Sequence, residues 1–241
     1  MAAIDMPDSA HFDAYRDVWI VIPAFTEASV IAGVVTDVRA VFPNVVVVDD
    51  GSPDDTGDRA HAAGAHVVKH PVNLGQGAAI QTGVEYARSR PGAAVFATFD
   101  ADGQHRVKDV MRMIDRLTAE NLDIVVGTRF GGQVSERMPA MRRVLFPIIA
   151  KLSPASRKLG LTDAHNGLRV FNRTVADSLN ITMNGMSHAS EFISLMVENH
   201  WRVGEEPVEI LYTDYSMSKG QPLVNGVNIV FDGLLRGRMR R

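Results

Sequence analysis

The chain has 241 residues, 46% of them hydrophobic and 22% charged, with a formal net charge of −3. That composition excludes a disordered or fibrous chain, and a chain without basic excess is not built to bind nucleic acid. It contains no cysteine, which excludes a disulfide framework and any thiolate metal site.

The first 16 residues form a polar, acidic extension. They lack the basic start and apolar stretch of a signal peptide. No apolar run reaches the ~18 residues of a membrane span, so a cytoplasmic location is expected. Val18 to Ile22 is a β-branched apolar run and predicts a buried strand that Pro23 ends. Glu27 to Ala40 carries apolar residues at helical spacing. Val45 to Val48 predicts a second strand, stopped by the turn-forming segment Asp49 to Asp55. Thr56 to Ala63 reads as helix, with Asp54 or Asp55 as its cap. Ala65 to Lys69 follows as a third strand. Gly75 to Arg88 is a helix opened by a glycine-rich turn, Ala94 to Phe99 a fourth strand, Lys108 to Glu120 a helix and Leu122 to Gly127 a fifth strand.

Strands alternating with helices define an α/β chain, doubly wound, with a mostly parallel sheet and helices on both faces. Ligands of such sheets bind beyond the carboxyl ends of the strands. Those ends carry the chemistry here: Pro23 and Glu27, Asp49 and Asp50, Asp100 and Asp102, then Arg129. The second half is less regular. Met141 to Leu159 reads as a helix pair broken at Pro147 and Pro154, Leu168 to Phe171 as a short strand, His188 to Asn199 as a helix and Trp201 to Tyr212 as one or two strands.

Asp100-Ala101-Asp102 is the strongest chemical signal. Two carboxylates one residue apart, past a buried strand, suit a hard divalent cation, Mg²⁺ or Mn²⁺, that bridges to diphosphate oxygens. Gln104 and His105 stand close enough to complete its shell. Asp49-Asp50-Gly51-Ser52 offers a carboxylate at a strand end to a base N–H or a ribose hydroxyl. Asn73 to Gly77 opens a helix with Gly75 and Gly77, where backbone can approach a phosphate. It is neither a Walker loop nor a dinucleotide fingerprint.

The segments Ile22 to Glu27 (IPAFTE), Val45 to Ser52 (VVVVDDGS), Asn73 to Gly83 (NLGQGAAIQTG), Phe99 to His105 (FDADGQH) and Val125 to Phe130 (VVGTRF) together resemble the family 2 glycosyltransferases with a GT-A fold. Within that family the chain is most similar to the branch of dolichyl-phosphate mannose synthase and bacterial polyprenyl-phosphate sugar synthases. The resemblance covers roughly residues 17 to 220; the domain is taken as 17–221, with a nucleotide-sugar half to residue 130, an acceptor half from 131, and a basic, apolar tail from 222. It implies a UDP- or GDP-sugar donor, and a polyprenyl-phosphate or other lipid-linked acceptor used in cell-envelope glycan assembly. It also implies roles. Pro23, Ala24 and Glu27 line the nucleotide pocket. Asp49 and Asp50 meet base or ribose. Asp100, Asp102 and Gln104 hold the metal, with Ala101 in the same loop. Arg129 meets a phosphate.

On the acceptor side, Asp163 to Arg173 (DAHNGLRVFNR) resembles the family's Asp-x-x-x-Gly-Phe-Arg stretch, with Leu168 in place of phenylalanine. It offers Asp163 and Arg169 as acceptor residues. Glu191 stands where other family members keep a catalytic base, and Tyr215 to Gln221 offers Ser218 and Lys219 to a phosphate. A threonine and an aspartate, Thr213 and Asp214, precede that segment where the branch has arginine and glycine. Arg137 to Lys158 and the tail through Arg236, Arg238, Arg240 and Arg241 mix cations with apolar residues, a mixture that suits an anionic membrane surface or a plain solvated face. Val227 to Leu235 suits a homodimer contact or a membrane contact. Two other readings of the chain remain at this level. One is transfer to a soluble hydroxyl with Glu191 as base, and the other is a nucleotide-sugar-binding protein without transfer activity.

Overall fold

The structure, a computed structural model, describes residues 14–130, 154–163, 166–183 and 187–211. Seven strands form one sheet: β1 (Val18–Ala24), β2 (Asn44–Asp49), β3 (His66–Lys69), β4 (Val95–Thr98), β5 (Ile124–Thr128), β6 (Arg169–Asn172) and β7 (Val203–Pro207). Their order is β3-β2-β1-β4-β6-β5-β7. All neighbours run parallel except β6, which is antiparallel to both β4 and β5. The strand contributed by residues 169–172 therefore lies between two strands of the first half, and the two halves share one sheet.

Seven helices accompany it among the described residues: α1 (Ile31–Arg39), α2 (Thr56–Ala62), α3 (Gln76–Arg88), α4 (Val107–Ala119), α5 (Pro154–Leu159), α6 (Arg173–Ser178) and α7 (Ser187–Glu198). They divide between two cores. Val18, Ile20 and Ile22 of β1 pack with Val35 and Val38 of α1 and with Val110 and Met113 of α4. Trp19 and Val21 face the other way, toward Ile80 and Val84 of α3 and Phe192 and Met196 of α7. Both faces of β1 and β2 are thus covered, which is why their sequences are unbroken apolar runs rather than alternating ones.

The predicted strands and first-half helices are all present, with ends shifted by a few residues. Two differences have physical causes. Pro23 does not end β1, which runs to Ala24 and pairs Pro23 with Val48. The β4 ladder closes at Val21 opposite Thr98, so the missing Pro23 N–H interrupts no pair on that side. The helix α6 was not expected. It starts on the last residue of β6, where the Asn172 side chain accepts from Val175 N–H at 3.1 Å and caps it, and six residues are too few for a periodic pattern. Of the predicted pair over Met141 to Leu159, residues 141–153 lie outside the described residues, and α5 begins at Pro154, which suits a first helical position.

The close contact of α3 with β1 gives a prediction. A Cβ added at Gly83 would lie 2.3 Å from Val21 Cγ1. Overpacking costs about 1–3 kcal/mol against at most about 1 kcal/mol gained in helix propensity. Gly83→Ala should lower stability by about 1 kcal/mol in urea unfolding; an increase would show that α3 moves freely on the sheet.

Candidate functional site

The sheet order reverses between β1 and β4, so their carboxyl ends splay and leave a crevice. Pro23 and Ala24 end β1 and are buried, as is Ala101 past β4. Beyond them Thr26 adopts a positive φ of 57°, and its N–H donates to Ser52 Oγ at 3.0 Å. Glu27 N–H donates to Thr56 Oγ1, which ties this turn to the start of α2. The Glu27 carboxylate lies near enough to Asp102 to disfavour its ionised form.

Asp49 and Asp50 are both buried. Asp49 Oδ1 accepts from Ser52 N–H at 2.9 Å, and Oδ2 faces Lys69 Nζ at 3.5 Å. Asp50 is fully engaged with the turn before α3. Its Oδ1 accepts from Leu74 N–H and meets His70 Nδ1, and its Oδ2 accepts from Gly75 N–H. Gly77 is packed rather than open: a Cβ there would lie 2.3 Å from the Met183 carbonyl oxygen.

Asp100 is the centre of the site. His105 Nε2 donates to Oδ2 at 2.9 Å and Gln76 Nε2 to Oδ1 at 3.2 Å. Gly167 lies so close that a Cβ would stand 2.3 Å from Oδ2. Burial alone would raise the Asp100 pKa. The His105 hydrogen bond and the charges of His105, Arg169 and His188 outweigh it and hold the carboxyl below its ordinary range. Asp102 goes the other way. Burial, then the negative charge of Asp100, pushes it up to about 6. Its Oδ1 accepts from Gln104 N–H at 3.0 Å, so the Gln104 backbone braces this loop. Asp100 and Asp102 are the residues that can hold a divalent cation, and the raised pKa of Asp102 marks surplus negative charge that a cation would relieve. Among the described residues no cluster of three acidic or histidine donors surrounds a metal position. Two carboxylates with substrate phosphates and water are the usual way a protein takes Mg²⁺.

Arg169 lies beneath the site on β6, 1% exposed. Its guanidinium carbon stands 4.8 Å from the centre of the Phe192 ring, and Nη1 reaches the Gly167 carbonyl at 3.4 Å. Burial pulls its pKa down to about 10, against the opposing influence of Asp100 and Asp163. Past β5, Arg129 forks onto Asp163: Nη2 donates to Oδ1 at 2.7 Å and Nε to Oδ2, while the Arg129 N–H donates to Oδ2 at 3.1 Å. Glu205 of β7 accepts from Thr162 N–H and Asp163 N–H and so fixes the Asp163 turn. Glu191 on α7 accepts from Thr182 N–H, Thr182 Oγ1 and Met183 N–H. Ser218 and Lys219 lie outside the described residues. The side-chain roles of Gln76 and Glu205 were missed by sequence reading: Gln76 lies in the segment Asn73 to Gly77, which was read for its glycines, and Glu205 stands in no motif.

A mostly parallel sheet with one antiparallel strand and a carboxylate pair at its crevice is the GT-A architecture of glycosyltransferases. The model for the family described as "Glycosyl transferase family 2" matches residues 19–179, and the chain belongs to that family. A UDP-N-acetylglucosamine–dolichyl-phosphate N-acetylglucosaminyltransferase of Methanococcus voltae is 27% identical over 235 residues, covering 89% of this chain and 93% of that one. A polyprenol monophosphomannose synthase of Mycolicibacterium smegmatis is 28% identical over 237 residues, covering 92% and 88%. Among solved structures, glucosyl-3-phosphoglycerate synthase from Mycobacterium tuberculosis, in complex with Mn²⁺, UDP-glucose and phosphoglyceric acid, has a similar fold, with a TM-score of 0.68 at 22% identity over 98% of this chain and 84% of that one.

The raised pKa of Asp102 gives a signed prediction for the metal-free protein. A carboxyl raised from 3.8 to about 6 on folding costs stability as pH rises through that window, and the cost persists above it. Asp102→Asn should therefore raise the folding stability at pH 7.5 by roughly 1–3 kcal/mol, seen as a higher melting temperature, and the gain should fall away as pH drops below about 4. A variant no more stable at pH 7.5 than the parent would refute the charge crowding.

Proposed function

We propose that this glycosyltransferase is inverting and metal-dependent, and that it moves a sugar from a UDP- or GDP-linked donor to a polyprenyl phosphate or other lipid-linked acceptor in cell-envelope glycan assembly. The observation that carries the reading is the pair of Asp100 and Asp102 one residue apart at the crevice, where burial and then the neighbouring charge raise the Asp102 pKa to about 6. Bound Mg²⁺ or Mn²⁺ would supply charge stabilisation to the leaving diphosphate. Asp100 and Asp102 would hold it. Pro23, Ala24, Glu27, Asp49 and Asp50 would build the wall against base and ribose. An acceptor oxygen attacks the anomeric carbon from the face opposite the diphosphate. The bond to the diphosphate oxygen breaks with its electron pair, and the configuration inverts. Arg129, oriented by Asp163, meets a phosphate oxygen of donor or acceptor.

The acceptors of the relatives and the surroundings of Glu191 support the acceptor class. A phosphate is already anionic and needs no base. In this structure both Glu191 oxygens accept hydrogen bonds from Thr182 and Met183, an occupation that favours a clamp over a proton acceptor. No described helix is long and apolar enough to cross a membrane. The enzyme would reach a lipid acceptor from the cytoplasmic surface, through the basic segment around Arg142, Arg143 and Lys151 and through the C-terminal arginines, all outside the described residues. The alternative is a hydroxyl acceptor with Glu191 as base.

Two measurements test this. In a thermal-shift panel, one of UDP or GDP at about a hundred times its dissociation constant should stabilise by roughly 2.7 kcal/mol with Mn²⁺ or Mg²⁺, and far less without. Stabilisation independent of metal would sink the Asp100–Asp102 assignment. In a transfer assay with polyprenyl phosphate, Glu191→Gln should keep kcat within about threefold of the parent. A loss of about 10²-fold or more, the usual contribution of a general base, would move the acceptor to a hydroxyl.

A further inference from the structure

The start of α3 joins two segments that lie far apart in the chain. Asp50 closes the turn before it: Oδ1 accepts from Leu74 N–H at 2.9 Å and meets His70 Nδ1 at 2.7 Å, and Oδ2 accepts from Gly75 N–H at 2.8 Å. His70 Nε2 meets Thr82 Oγ1 of α3 at 3.0 Å, so both ring nitrogens are used. Gly51, at φ 73°, lies flat on this turn, where a Cβ would stand 2.5 Å from the Val72 carbonyl carbon. Gly75, at φ 95°, completes the bend into the helix. The turn is held from the β2 end, from the helix and from below.

Gln76 is the first residue of α3 and follows directly from that turn. Its Nε2 reaches Asp100 Oδ1 at 3.2 Å, while His105 takes Oδ2. The last torsion of an aspartate is broad and two-fold, so the backbone alone does not set the plane of its carboxylate. One hydrogen bond on each oxygen does, and each oxygen keeps a further lone pair for a cation.

We infer that Gln76 is a positioning residue, which together with His105 fixes the Asp100 carboxylate for a divalent cation, and that the Asp50–His70–Thr82 clamp holds Gln76 in place. The inference rests on Asp100 as a metal ligand, the reading given under Proposed function. Asp50 then acts on the metal loop through the turn it closes.

The test uses the full chain with Gln76→Met, which keeps length and helix propensity but removes the donor, and Gln76→Ala, which removes it without bulk. Mn²⁺ is titrated by electron paramagnetic resonance, alone and with UDP or GDP, and the metal-free melting temperature is measured alongside. The expected result is a Mn²⁺ dissociation constant raised about tenfold in both variants, a broadened signal from bound Mn²⁺, and a melting temperature near that of the parent. Unchanged Mn²⁺ affinity in a folded variant overturns the inference, as does a loss that appears only with a lowered melting temperature. A parent protein that binds no Mn²⁺ under any of these conditions overturns the metal reading itself.

Discussion

Two carboxylates stand one residue apart in a half-buried loop past β4, and the fold has to hold them side by side. The protein treats the two unequally. Asp100 is surrounded by donors and cations and stays ionised, whereas Asp102, with burial and its neighbour's charge against it, is raised to about 6. A cation beside such a pair would offset both the burial of Asp102 and the repulsion between the two carboxylates.

The sheet order supplies the counter-charge. Because β6 runs antiparallel between β4 and β5, its first residue, Arg169, sits opposite Thr98 on one side and Val126 on the other. A guanidinium so placed feels both Asp100, past the end of β4, and Asp163, beside the end of β5. It makes a single long hydrogen bond within the described structure, and its Nε is buried without a partner. Such a group would be costly in a neutral core; between two carboxylates it is compensated through space. The same strand entry places Gly167 against Asp100, at a spot where any side chain would displace the carboxylate.

The nucleotide half of the fold was legible in the sequence because its signals are local. Runs such as Val45 to Val48 can only be buried on both faces, and the polar segments that stop them mark the ends where ligands bind. The Asp100–Asp102 pair was legible for the same reason. What escaped was built from distant pairings. Nothing in the segment Leu168 to Phe171 says that it inserts antiparallel between β4 and β5. Gln76 is an ordinary helix residue until the turn before it is folded onto Asp50, and Glu205 is an ordinary strand residue until β7 lies beside β5 and reaches the Asp163 turn. Asp50 shows the converse: a residue type read for a ribose contact also closes the turn before α3, a second task that no local pattern announces.

The site is a place where the chain gives up stability, and the rest of the fold has to tolerate it. Charge crowding at Asp102, a buried arginine and a left-handed Thr26 all sit at one edge of the sheet. The compensation lies on the sheet faces, where two separate apolar cores cover β1 from both sides and each fully buried Val, Ile or Phe contributes about 1.5–3 kcal/mol. Those cores reach into the site itself: Ala101, between the two carboxylates, belongs to the core shared with α1 and α4, and Phe192, against Arg169, belongs to the other. The carboxylate loop is thereby anchored to packed apolar side chains at Phe99 and Ala101. That anchoring holds Asp100 and Asp102 together against burial and their mutual repulsion, a cost that a cation between them would relieve.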